Sequence, residues 1–243
     1  MTIPLWTPSE AKKVESLIAR FMKRRGHTSW HELHAWSLAE PEAFWSDVWN
    51  FSGVIGEKGA KPWIADPHAM PGARFFPEGR LNYAENLLRD GGAEEALVCW
   101  AEDRVKLRVT RDELRGDAGR FQRWLLAAGI NAGDRVAAMM PNIPQTMAAF
   151  LGCSALGGVW SSCSPDFGEQ GVLDRFGQIG PRVLVACDGY VWAAKHSTSR
   201  PNLKRSSPSF RLSSASSSCP GSARQTKPHE NSLPQSRALA SRP

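Results

Sequence analysis

No run in the chain approaches the roughly 20 consecutive apolar residues of a membrane-spanning helix. The polar opening from Met1 to Lys13 also lacks the apolar core of a secretion signal. The expected location is therefore cytoplasmic, with no membrane partner. Five cysteines (Cys99, Cys153, Cys163, Cys187, Cys219) form neither a CxxC pair nor a Cys/His metal spacing. Their odd number, without a secretion signal, reads as free thiols behaving as small buried apolar residues. No GxGxxG fingerprint is present, which disfavours a Rossmann dehydrogenase, and no GxxxxGK[ST] phosphate loop occurs. A GxSxG elbow is missing around Ser161 and Ser162, so a hydrolase is disfavoured as well.

What is present suits a packed protein. Hydrophobic residues make up 42% of the chain and there are ten tryptophans, enough to build a core and to exclude a fibrous or wholly disordered class. The net charge of +6 invites a nucleic-acid reading until it is mapped. Residues 1–195 hold 22 Lys and Arg against 23 Asp and Glu, whereas residues 196–243 hold 8 against 1. All the basicity lies in the tail.

Ser9 is placed to cap a helix from Glu10 to about Arg25, ended by Gly26, with Val14, Leu17, Ile18, Phe21 and Met22 at helical spacing. Pro41 opens a second helix with an aromatic face from Phe44, Trp45 and Trp49. Residues 1–93 thus read as an irregular helical cap. From Glu95 the pattern changes to strands at 96–100 and 105–109, then a helix opened by a Thr110/Glu113 capping box, burying Leu114, Phe121, Leu125 and Leu126, and stopping at Gly129. Strands at 135–140, 157–161 and 183–187 alternate with helices at 143–156 and 173–179. The fold class is α/β: a parallel sheet with right-handed crossovers, incomplete, over residues 94–195.

Residues 196–243 change character, with 14 serines and 6 prolines, and are expected to be disordered. One allowed set of codons for His196 to Pro220, shifted back one nucleotide into the Lys195 codon, reads as an amphipathic helix, a turn and a VERVVVV strand. That is the next α/β unit the preceding pattern requires, so the tail reads as out of frame. The rival is a natural basic tail for nucleic acid or an acidic partner; its cations are scattered and Phe210 is its sole aromatic, too little for base stacking. An interrupted parallel sheet also leaves an unpaired edge, and poor solubility is expected.

Gly157, Gly158, Ser161, Ser162 and Ser164 are read as a loop where a strand leaves the sheet, the edge at which α/β folds bind ligands. The longer string GVWSSCSPDFGEQGVLDRFGQ, Gly158 to Gln178, is far more specific. Together with FWSDVWNFSGV, FFPEGRLNYAENLL and MPNIPQTMAAFLGCSALGGVWSS it resembles the acetoacetyl-CoA synthetases, adenylate-forming acyl-CoA ligases, over roughly residues 4–195.

That resemblance implies a reaction in which acetoacetate and ATP give an acyl-adenylate and pyrophosphate, after which the CoA thiol displaces AMP. ATP, CoA and Mg²⁺ are the reactants and cofactor of the family. Its triphosphate loop, about TSGTTGxPK, has no counterpart string in this chain, and neither has the later catalytic lysine. No catalytic or metal residue is therefore assigned, and the polypeptide is expected to be inactive. By the same resemblance Asp188 to Lys195 matches a segment that contacts CoA in related acetyl-CoA synthetases. Lys195 is the one candidate cofactor-binding residue, a point cation for a CoA phosphate, against the plainer reading of a solvated lysine.

The alternative to a ligase fragment is a non-catalytic nucleotide- or CoA-binding α/β module. His31 and His34 lack a third ligand and read as packing or surface. Asp166 and Asp174 read as capping and solvation. Tyr83 and Asn86 carry no assigned chemistry, and the sequence gives no oligomeric state.

Overall fold

The computed structural model describes residues 5–100, 106–187, 189–192, 195–198 and 213–214. The chain folds as two compact units, Met1–Leu81 and Asn82–Pro243.

The first unit is helical with short hairpin strands: α1 (Glu10–Glu15), α2 (Leu17–Arg25), α3 (Trp30–Ala39), α4 (Pro41–Phe51), β1 (Gly56–Glu57), β2 (Ile64–Ala65), β3 (Arg74–Phe75) and β4 (Arg80–Leu81). The single helix expected from Glu10 to Arg25 is instead two. Ser16 sits extended at φ −62°, ψ 148°; its hydroxyl donates to the Lys13 carbonyl (2.7 Å) and accepts from the Ala19 N–H (3.2 Å). A serine able to cap both ways competes with continuation of the helix. Gly26 ends α2 in the left-handed region (φ 75°), as its position predicts. Val14, Leu17 and Ile18 remain exposed, and of that apolar face Phe21 alone is buried, edge-on to Phe44 and Phe51. α3 was not anticipated; Ser29 caps it through the Glu32 N–H.

The second unit begins with α5 (Tyr83–Leu87), an antiparallel pair β5 (Glu95–Trp100) and β6 (Lys106–Thr110), and α6 (Arg111–Ala127). It continues as β7 (Arg135–Met139), α7 (Pro144–Ala155), β8 (Val159–Cys163), α8 (Glu169–Gly177) and β9 (Val183–Ala186), then β10 (Gly189–Trp192), β11 (Lys195–Thr198) and β12 (Ser213–Ser214). Val105 lies outside the described residues. The Thr110/Glu113 capping box is formed as read, with both reciprocal hydrogen bonds. Gly129 (φ 77°) follows the end of α6. Leu126 differs from expectation: it is exposed, because α6 turns Leu114, Ala118 and Leu125 inward and leaves Leu126 on the far side of its last turn.

The main sheet has the order β12-β9-β7-β8, all parallel. β7 is central, and its successive side chains serve opposite faces. Val136 and Ala138 join Leu125, Ile130 and Cys153 on the face covered by α6 and α7. Ala137 and Met139 join Val172 and Phe176 of α8 on the other. A third cluster lies between α5, α6 and α7, around Ala84, Leu114, Ala118, Ala148 and Leu151, with Leu97 and Val109 of the β5–β6 hairpin against it. Beyond Lys195, the described stretches expected to lack structure are the rest of β11 and the two residues of β12.

Candidate functional site

The strand order places the site. From β7 the chain passes through α7 to β8 on one side, then through α8 back across to β9 on the other. The strand order therefore reverses at β7, and in open α/β sheets ligands enter the crevice outside the carboxyl ends of strands at such a switch point. Here those ends are Met139–Met140–Pro141, Cys163–Ser164–Pro165 and Ala186–Cys187.

Backbone bonds knit the edge together. The Met140 N–H donates to the Cys163 carbonyl (3.2 Å) and the Cys187 N–H to the Met139 carbonyl (3.3 Å). The Thr146 hydroxyl donates back to the Pro141 carbonyl (2.7 Å), fixing the turn from β7 into α7. α7 starts with proline at its first turn and α8 follows Gly168; neither start carries a side-chain cap. Two helix N-termini so placed suit an anionic group. In the loop after β8, Ser164 and Asp166 are exposed, and the Arg175 guanidinium lies 4.3 Å from the Phe167 ring centre.

The sequence reading of a single glycine and serine loop is corrected. Gly157 and Gly158 precede β8 and lie at the amino edge of the sheet, opposite the ligand-facing edge. Their role is steric. Gly157 has φ 79°, and a Cβ on Gly158 would stand 2.7 Å from the Cys153 sulfur. Ser161 and Ser162 lie within β8, paired with Ala137 and Ala138; of the group, Ser164 alone follows the strand at the carboxyl edge.

Lys195 opens β11, its Cα paired with Trp192 in the hairpin that follows β9; its side chain lies outside the described residues. His31 and His34 are exposed on α3, with the His34 ring 5.2 Å from Trp30. Asp174 accepts from Gln170 (2.6 Å) on the exposed surface of α8. Among the described residues no three His, Cys, Asp or Glu side chains are grouped to hold a metal ion, and no helix is long and apolar enough to cross a membrane. In the first unit a cleft of about 650 Å³ is lined by Arg25, Glu42, Asp47, Lys61 and Trp63 among others. Its charges are already engaged, Arg25 with Asp47 at 2.9 Å and Glu42 with the Trp63 N–H.

The cysteines are inert by environment. Burial pushes the Cys153 thiol up to about 11; burial first, and then Asp166, push Cys163 up against the opposing pull of Arg175. Both stay protonated at neutral pH and are not nucleophiles. In the folded chain at pH 8, Cys153 and Cys163 should react with a maleimide on the order of a hundredfold more slowly than in urea, read by mass spectrometry after timed quenching.

Asn82, inside the LNYAENLL string, is the residue whose role the sequence reading missed. Its Nδ2 donates to the Ser154 and Ala155 carbonyls (3.0 and 3.2 Å) at the end of α7, while its Oδ1 accepts the Glu85 N–H (3.1 Å) and caps α5. Asn86 in turn donates to the Asn82 carbonyl (2.9 Å). One side chain thus closes two helix ends, and an Asn ahead of a helix with Glu three residues on was the available signal. Asn82→Ala should cost about 1–3 kcal/mol in urea unfolding, and Asn82→Asp, which keeps the cap and loses the two donors, should fall between.

Comparison with known proteins agrees with this architecture. Residues 30–87 match the acetyl-coenzyme A synthetase N-terminus model, and residues 88–241 match that of the AMP-binding enzymes, running past Lys195. The chain is 50% identical over 198 residues to the acetoacetyl-coenzyme A synthetase of Rhizobium meliloti, covering 79% of this chain and 30% of that protein. It is 37% identical over 170 residues to the acetoacetyl-CoA synthetase of Xenopus tropicalis, covering 69% and 25%. The solved acetoacetyl-CoA synthetase from Streptomyces lividans superposes with a TM-score of 0.78 at 36% identity, over 88% of this chain and 35% of that one. The chain therefore spans about a third or less of the length of these relatives. With that family's model matched over more than half its residues and the switch-point sheet in place, the chain belongs to the AMP-binding enzymes.

Proposed function

We propose that this chain is the opening part of an ATP-dependent acid–thiol ligase joining acetoacetate to CoA through an acyl-adenylate. The observation that carries the reading is the 50% identity with the Rhizobium meliloti acetoacetyl-coenzyme A synthetase over 198 residues, which include both units. Within that reaction the residues present act as scaffold. The β7 switch point and the uncapped starts of α7 and α8 form one wall of a crevice for an anionic ligand. Lys195, on the hairpin after β9, is the residue assigned to a CoA phosphate. ATP, Mg²⁺ and CoA belong to the parent reaction, and no step is assigned to them on this chain.

A chimera tests the reading. Residues 1–195 are placed in the Rhizobium meliloti relative in exchange for its matching segment, and acetoacetate-dependent pyrophosphate release is measured. Retention of kcat/KM within about tenfold of the relative is expected, with acetate a poor substrate. A folded chimera that releases pyrophosphate with acetate and not with acetoacetate would overturn it. The 243-residue chain alone is expected to give no turnover, since it holds no TSGTTGxPK-like string.

Residues 196–243 are proposed to be read out of frame relative to the family. The helix, turn and VERVVVV strand of the shifted reading support this, and the family match continuing to residue 241 opposes it. Sequencing the locus downstream of the Lys195 codon decides the matter.

A further inference from the structure

β9 is built as an interior strand. Its residues Val183, Leu184, Val185 and Ala186 are each 4% exposed or less and alternate between the two cores. It carries no lysine, proline or bulge of the kind that keeps a free edge from pairing. On one side it pairs with β7 along its whole length. On the other, the described partner is β12, in which Ser213 lies beside Val185 and Ser214 beside Ala186. Two serines add no apolar side chain to either core, and Val183 and Leu184 have no described strand neighbour on that side.

The position of β12 is informative. The interval between β9 and β12 is long enough for a helical crossover, the connection parallel strands need. In the shifted reading, VERVVVV arises from the codons spanning Leu212 to Cys219. The strand seen beside β9 and the apolar strand of the other reading therefore fall at the same place in the chain. The serine version keeps the location and loses the side chains.

We propose that the outer edge of β9 is an acceptor for one parallel apolar strand, and that its occupant is the segment PSVERVVVVP, for which β12 is a partial substitute. The occupant's sequence rests on the shifted reading, whereas the edge itself does not, so a peptide experiment and the locus answer separate questions. Valines on both faces of such a strand would extend the α6/α7 core on one side and the α8 core on the other, as strands buried on both faces do.

The full 243-residue chain is incubated with synthetic PSVERVVVVP or with a scrambled peptide carrying both prolines at its centre, and amide exchange is followed by mass spectrometry. The expected result is at least about tenfold slower exchange for the β9 amides that point away from β7, with the authentic peptide alone. A Ser213→Val/Ser214→Val variant should slow the same amides without peptide and blunt the peptide's effect. No slowing in either arm, or equal slowing by the scrambled peptide, overturns the proposal. Slowing that follows protein concentration instead of peptide concentration overturns it too, since a second copy would then occupy the edge.

Discussion

Gly152→Val is expected to lower stability by about 3 kcal/mol or more, seen as a lower urea midpoint with an unchanged slope. The reason is the crossing of α6 and α7. A Cβ on Gly152 would stand 2.5 Å from the Ala118 carbonyl oxygen, 3.1 Å from the Gln122 nitrogen and 3.2 Å from the Phe121 Cβ. Two of these are backbone atoms of the facing helix, so no rotamer change relieves the clash and the helices must separate. Interiors packed to crystal-like density do not absorb such a shift locally. The move would also open the cluster of Leu114, Ala118, Ala148 and Leu151 and displace α7 from β7.

Glycines elsewhere in the same helix pair supply the contrast of sign. Gly116 and Gly119 of α6 would meet nothing nearer than the guanidinium ends of Arg120 and Arg123, at 3.5 and 3.6 Å. Alanine at either position should be neutral or stabilising by about 0.5–1 kcal/mol, the helix-propensity gain. If Gly152→Val and Gly116→Ala shift the midpoint in the same direction, the account of the crossing is wrong.

Phe176→Ala is expected to cost about 3–5 kcal/mol. Phe176 is 2% exposed and packs with Ala137, Met139, Cys163, Val172, Leu184 and Ala186. Most of these strand residues are small, so the ring fills the space they leave. The cavity would lie against the α8 face of the sheet and leave the other face intact. Timed maleimide labelling reads this directly: Cys163 should become reactive in Phe176→Ala, while Cys153, on the α6/α7 face, stays protected. Equal unmasking of both thiols would mean that the two cores are not separately anchored.

Where local chemistry decides structure, the sequence was readable. The Thr110/Glu113 box, the proline opening α4 and the glycines after α2 and α6 act through neighbouring residues, and each stands where its local role predicts. The misreadings share the opposite property. Ser16 can continue a helix or cap the next one, and the choice depends on where Phe21 finds Phe44 and Phe51. The edge on which Gly157 and Gly158 lie depends on where β8 starts. An apolar Gly-Gly-Val-Trp run does not mark its own first paired residue, and Arg135 pairing with Val159 does. The switch point needs strand order, a long-range property carried by no short motif, although alternating small and apolar residues in β7 are its local trace. Asn82 is a middle case: its cap of α5 is a neighbour effect, and its hold on α7 reaches across more than seventy residues.

The central place of β7 also sets a schedule for the growing chain. Its first partner, β8, follows soon after it in the sequence, but the neighbour on its other side, β9, is made only after α7, β8 and α8. At roughly 5–20 residues per second, the interval between Met139 and Val183 leaving the ribosome lasts on the order of several seconds. During that time one side of β7, with Val136 to Met139 destined for complete burial, stands open to any extended segment nearby. Synthesis speed across α7 to β9 therefore governs how much of the chain reaches the folded state, and slow codons in that stretch should lower the yield.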